Sequence, residues 1–176
     1  MKRSDKKAFD LFTRYLILVL VAIPNLWLFY TIFTPLTIYP LYGIFSIFFN
    51  ASLNGNLITL GGCFPIEIIR ACVAGSAYYL LLILNLSTPG IKFTKRMSMI
   101  GTSFLALLLL NILRIFVLGL MFVSSSSLFE AVHLLFWYAG STIFVVGIWF
   151  IEVKSFKIKQ IPIYSDIKFL INKIKN

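Results

Sequence analysis

The sequence predicts an all-α integral membrane protein: a multi-pass helical bundle of about four transmembrane helices plus one short re-entrant or interfacial segment. Three observations carry that expectation. Hydrophobic residues make up 60% of the 176-residue chain and its mean hydropathy is +0.94, a composition that a soluble domain does not have. Several apolar stretches approach the ~20 residues a helix needs to cross the hydrocarbon core. The basic residues gather at the ends of those stretches rather than in one patch. The net charge of +10 therefore reads as membrane orientation, and no nucleic-acid partner is expected.

Residues 15–33, 72–86, 99–123 and 129–151 qualify or nearly qualify as spans. Residues 36–49 are also apolar, but the stretch is short and holds Pro40, so it is assigned as re-entrant or interfacial. Lys2, Arg3, Lys6, Lys7 and Arg14 precede the first span, Lys92, Lys95 and Arg96 separate the second and third, and six lysines from Lys154 to Lys175 follow the last. Of the 16 basic residues only Arg70 and Arg114 fall elsewhere. Four crossings with both termini in the cytoplasm fit this distribution; making residues 36–49 a further crossing would strand basic residues outside. The apolar run after the basic N-terminus is too long for a signal-peptide core, so an uncleaved first span is expected.

Residues 50–70 hold Gly55, Gly61, Gly62 and Pro65 and read as a turn or short hairpin outside the membrane. Residues 1–151 are taken as one transmembrane domain and residues 152–176 as a basic cytoplasmic tail. In that tail Ile167, Leu170, Ile171 and Ile174 have the helical spacing of a segment lying on an anionic leaflet, a disordered basic tail being the alternative.

The run 99–123 contains two strongly polar residues, Asn111 and Arg114. A charged side chain inside a bilayer is costly and faces a partner or a wet cavity. Arg114 lies roughly 13 Å before the outer end of its span by helical rise, and its long side chain can snorkel outward. Asn111, one turn earlier on the same face, is placed to orient it. In this topology Cys72 starts its span at the outer surface and His133 lies about one turn inside the outer end of the last. The three groups can meet in one outward-facing cavity, and no comparable polar cluster is expected at the inner end.

A thiol acts as a nucleophile in its thiolate form, favoured by a nearby cation or base. His133, the single histidine of the chain, can take the thiol proton near neutral pH. Arg114 stays protonated, so its roles are electrostatic: on the thiolate, on an oxyanion or on the substrate. Plainer readings stand beside this one. Cys72 can be an apolar filler, His133 an interfacial residue, Arg114 an ion-pair partner of Glu130, and Cys63 and Cys72 a disulfide. With two cysteines, no CxxC and one histidine, no metal or cofactor is expected.

Arg70-Ala-Cys72-Val-Ala-Gly75, then Asn111-Ile-Leu-Arg114, then His133 form an ordered set that resembles the exosortase/archaeosortase family over residues 56–151. The short chain is more similar to reduced archaeal members than to long bacterial exosortases. The resemblance implies a cysteine transpeptidase of the cell membrane, its site facing the extracytoplasmic side. Such an enzyme cuts C-terminal sorting signals of exported proteins (a motif, an apolar helix and a basic end) and joins the product to a membrane lipid. It further implies Cys72 as nucleophile, Arg114 as the catalytic arginine and His133 as general base, with Asn111 and Gly75 in support. The family often shows Cys-Ser/Thr-Gly, whereas here the glycine stands one place later, at Gly75. The alternative from the residues alone is a non-enzymatic transporter subunit or scaffold in which Arg114 binds an anionic ligand.

Overall fold

The computed structural model describes residues 3–158 and residue 171, with side chains from residue 8 onward. The chain is mostly helical, and three helices are long and apolar enough to cross a membrane: Trp27–Phe48, Phe93–Val123 and Phe129–Ser155. A shorter apolar element, Arg70–Leu86, corresponds to the expected span at residues 72–86. Nearly all of the amphipathic helix expected at the C-terminus lies outside the described residues.

The N-terminal third corrects the expected boundaries. Helix α1 (Arg3–Ala22) and helix α2 (Trp27–Phe48) meet at a turn inside what read as one span, residues 15–33. Pro24 disfavours helix at the residue before it, and Asn25 and Leu26 adopt left-handed φ values of 51° and 58°. Residues 36–49 are not a separate re-entrant segment; all but the last belong to α2, which runs through Pro35 and Pro40. Packing explains why the prolines do not end it. Phe29, Phe33, Thr37, Leu41 and Phe45, spaced four apart, form one buried stripe across both.

Residues 50–70 hold more than a hairpin, and here the all-α expectation needs correcting. Strands β1 (Ala51–Asn54), β2 (Leu57–Leu60) and β3 (Phe64–Glu67) form an antiparallel meander in the order β1-β2-β3. Gly55 (φ 60°) closes the first turn; Gly61 (φ 57°) and Gly62 (φ 73°) close the second. Leu53, Ile58 and Ile66 lie side by side in register, as do Ala51, Leu60 and Phe64. This apolar face caps one end of the bundle, with Phe64 edge-on to Phe122 at 5.9 Å.

Helix α3 (Arg70–Val73) and helix α4 (Gly75–Leu86) are separated by Ala74, which is left-handed at φ 59°, ψ 42°. Helix α5 (Phe93–Val123) starts six residues before the expected span. Helix α6 (Phe129–Leu135), a wide π-helical turn (Phe136–Gly140) and helix α7 (Ser141–Ser155) complete the bundle. Phe33 stacks on Tyr78 at 3.7 Å between centroids, with Phe104 edge-on to both, while Phe45 meets Phe116 further along. Helix α2 therefore runs parallel to α5, and α4 runs against both.

The end of the bundle away from the sheet is more polar than expected. Arg14 and Arg96 are buried and both donate to the Leu86 carbonyl at 2.9 Å; Arg96 also reaches the Thr88 carbonyl at 3.0 Å. They satisfy the carbonyls that any helix leaves open at its C-terminus. Nearby, the buried Asn85 amide donates to Glu152 Oε2 at 3.1 Å and to Ser103 Oγ at 3.4 Å. Glu152 is thus packed inside the bundle as part of a helix that continues to Ser155.

Candidate active site

Arg70–Val73 is a single helical turn held between the last strand and α4, and it carries Cys72. The Cys72 N–H donates to the Ile69 carbonyl at 2.9 Å. Because Ala74 then turns left-handed, the Cys72 carbonyl is not consumed by a continuing helix. Two side chains of α5 take it instead: Asn111 Nδ2 donates to it at 2.7 Å and Arg114 Nη2 at 3.2 Å. Asn111 was expected to orient Arg114; both residues act on the Cys72 backbone instead. They sit three residues apart on one helix face, so their donors converge.

Gly75 sits where a side chain has no room. A β-carbon there would lie 2.8 Å from the Tyr30 ring, and that ring also carries the Arg70 guanidinium, 5.4 Å from its centroid. A glycine therefore fits beside the turn that carries Cys72 without displacing Tyr30, although the left-handed residue is its neighbour Ala74.

Arg114 is buried, 9% exposed. Its Nη1 donates to Ser141 Oγ at a long 3.5 Å, and its Nε has no partner among the described residues. The Glu130 ion pair does not form.

Cys72, Arg114 and His133 all line one cavity of about 430 Å3. The sequence expectation that they share a space therefore holds. Arg114 touches Cys72 through its backbone carbonyl, but among the described residues no hydrogen bond joins His133 to either of them. His133 is exposed on α6, stacked on Phe129 at 5.6 Å and edge-on to Trp137 at 6.1 Å. Cys63 is exposed on the β2–β3 loop, and both cysteines are free thiols, so the disulfide alternative is not realised. No family of known proteins, curated protein or solved structure matches this chain.

Ser141 was not singled out from the sequence, and the reason is geometric. Eight positions apart on an α-helix, His133 and Ser141 would diverge by about 80°. A π-helical turn holds one extra residue, absorbing about 100° and bringing them to within roughly 20°. Phe136–Gly140 is that turn. It lets α6 and α7 present Phe129, His133 and Ser141 to the same cavity, an alignment that α-helical periodicity does not predict.

Proposed function

We propose that this protein is a membrane-embedded cysteine transpeptidase or protease that cleaves C-terminal sorting signals of exported proteins and passes the product to a membrane lipid. The observation that carries this reading is the convergence of Cys72, Arg114 and His133 on one cavity, with Arg114 and Asn111 holding the Cys72 backbone. The ordered resemblance to the exosortase/archaeosortase family supplies the reaction class. In this reading α2, α3 with α4, α5, and α6 with α7 make four crossings. The sheet and the cavity then face the extracytoplasmic side, and Lys92, Lys95 and Lys154 the cytoplasm.

The chemistry follows from the residues. His133 accepts the Cys72 thiol proton, and the thiolate attacks the scissile carbonyl, forming a carbon–sulfur bond. The developing oxyanion faces Arg114, which lines the same cavity. Collapse expels the C-terminal fragment as an amine, which takes the proton back from His133. A lipid nucleophile or water then breaks the thioester and frees Cys72. The gap between Cys72 and His133 is where the substrate carbonyl sits, since catalytic contacts often close only on the bound substrate.

The test is Cys72→Ala co-expressed with an exported protein bearing a C-terminal apolar helix and basic end. Processing is expected to stop while the variant still inserts in the membrane. Normal processing by Cys72→Ala would sink the assignment. The scaffold alternative makes a different prediction: external alkylation of Cys72 leaves a ligand-binding role of Arg114 intact.

A further inference from the structure

The reading above needs the substrate backbone to be held in an extended form beside Cys72, and β3 offers a way to do so. Ile68 donates its N–H to the Asn56 carbonyl at 2.9 Å, toward β2. In an antiparallel strand the N–H and C=O of one residue point to the same side and alternate between neighbours. Phe64 and Ile66 therefore pair with β2, and Pro65 and Glu67 direct their backbone groups away from it. Pro65 fits this parity, because it has no N–H to donate and stands in the register position opposite Thr59 that exchanges none.

The sheet ends at β3, and its outer edge presents the Pro65 carbonyl and the Glu67 N–H and carbonyl. None of these makes a hydrogen bond among the described residues. The same strand lines the cavity that holds Cys72, through Pro65, Ile66, Glu67 and Ile68. The chain stays extended to Ile69 (φ −87°, ψ 169°), three residues before the thiol. A donor flanked by two acceptors at strand spacing matches a polypeptide backbone.

We propose that the substrate of this site binds as an added fourth strand on the free edge of β3. The segment that precedes the scissile bond exchanges two backbone hydrogen bonds with Glu67 and gives a third to the Pro65 carbonyl. Its side chains alternate between the apolar cavity wall, Ile115 and Leu118 of α5, and the solvent side. Backbone bonds supply affinity independent of sequence, and the alternating pockets supply selectivity. This proposal rests on the cysteine chemistry proposed above.

The experiment uses the full chain in detergent with Cys63→Ser, so that maleimide labelling reads Cys72 alone. The probe is a mixture of acetylated pentapeptide aldehydes of randomised sequence. Each adds the Cys72 S–H across its carbonyl, the sulfur bonding to carbon and the proton going to oxygen. Unmethylated peptides are expected to slow labelling by about tenfold or more. Methylating one alternate set of peptide amides abolishes the protection and methylating the other set preserves it, because a strand pairs through one edge. Glu67→Pro, which removes an outward N–H and leaves the β2 ladder intact, loses protection; Glu67→Ala keeps it. Equal effects of the two methylation sets, unchanged protection in Glu67→Pro, or no protection of the starting protein each overturn strand addition. Failure of the cysteine chemistry itself is read separately, as normal substrate processing by Cys72→Ala.

Discussion

Arg114 Nη2 donates to the backbone carbonyl of Cys72 at 3.2 Å, so the buried charge of α5 is spent on shaping the turn that carries the thiol. The bond crosses two helices and joins residues 42 positions apart. It also leaves Nε buried without a hydrogen-bond partner among the described residues.

Arg114→Lys keeps the charge but loses the planar fork that reaches Cys72, Ser141 and the cavity together. Substrate processing is expected to fall by about 100-fold or more, measured as the rate of product release from membranes holding equal amounts of each protein. A fall smaller than threefold would mean that charge alone suffices.

Asn111→Leu removes the shorter of the two bonds to the Cys72 carbonyl and should destabilise the protein by about 1 kcal/mol. Asn111→Asp should be worse, since an ionised carboxylate then faces a carbonyl. Thermal unfolding in detergent ranks the three proteins, and a more stable Asp variant would contradict the bond as described.

Ala74 holds a left-handed conformation that costs an L-residue about 1–2 kcal/mol and a glycine almost nothing. Ala74→Gly is expected to raise the unfolding midpoint, and Ala74→Val to lower it.

One residue of the turn Phe136–Gly140 is surplus to an α-helix. Deleting Ala139 is expected to leave an α-helix with His133 and Ser141 still on one face, and hence to retain processing. Deleting Val145 instead rotates Glu152 away from Asn85 and should unfold the opposite end. Circular dichroism melts and processing assays on the two deletions separate these outcomes.

Glu152 Oε1 and Asn85 Oδ1 are both buried without a hydrogen-bond partner. Glu152→Gln keeps one oxygen to accept from the Asn85 amide and replaces the unpartnered Oε1 with a donor, so the variant should match or exceed the parent in thermal stability. Glu152→Leu, which leaves the Asn85 amide one acceptor fewer, should be less stable by about 1 kcal/mol. A Gln variant that melts below the Leu variant would exclude this account.

The sequence by itself determined the membrane class, because apolar length and the placement of lysines and arginines are local properties that need no tertiary contact. It also picked out Arg114 as an anomaly and placed Cys72 and His133 at the same end of the bundle, since helix order and rise are enough for that. Only the tertiary structure decided how α2 survives Pro35 and Pro40, for a stripe of aromatic packing outweighs two missing backbone bonds. Packing also buried Arg14, Arg96 and Glu152, which in sequence look like loop charges, because the open carbonyls of α4 and the amide of Asn85 lie across the bundle from them. The partners of Arg114 depend on a left-handed alanine and a π-helical turn. The first interrupts a helix at one residue and the second adds one residue to a turn, and hydrophobic periodicity averages over departures of that size.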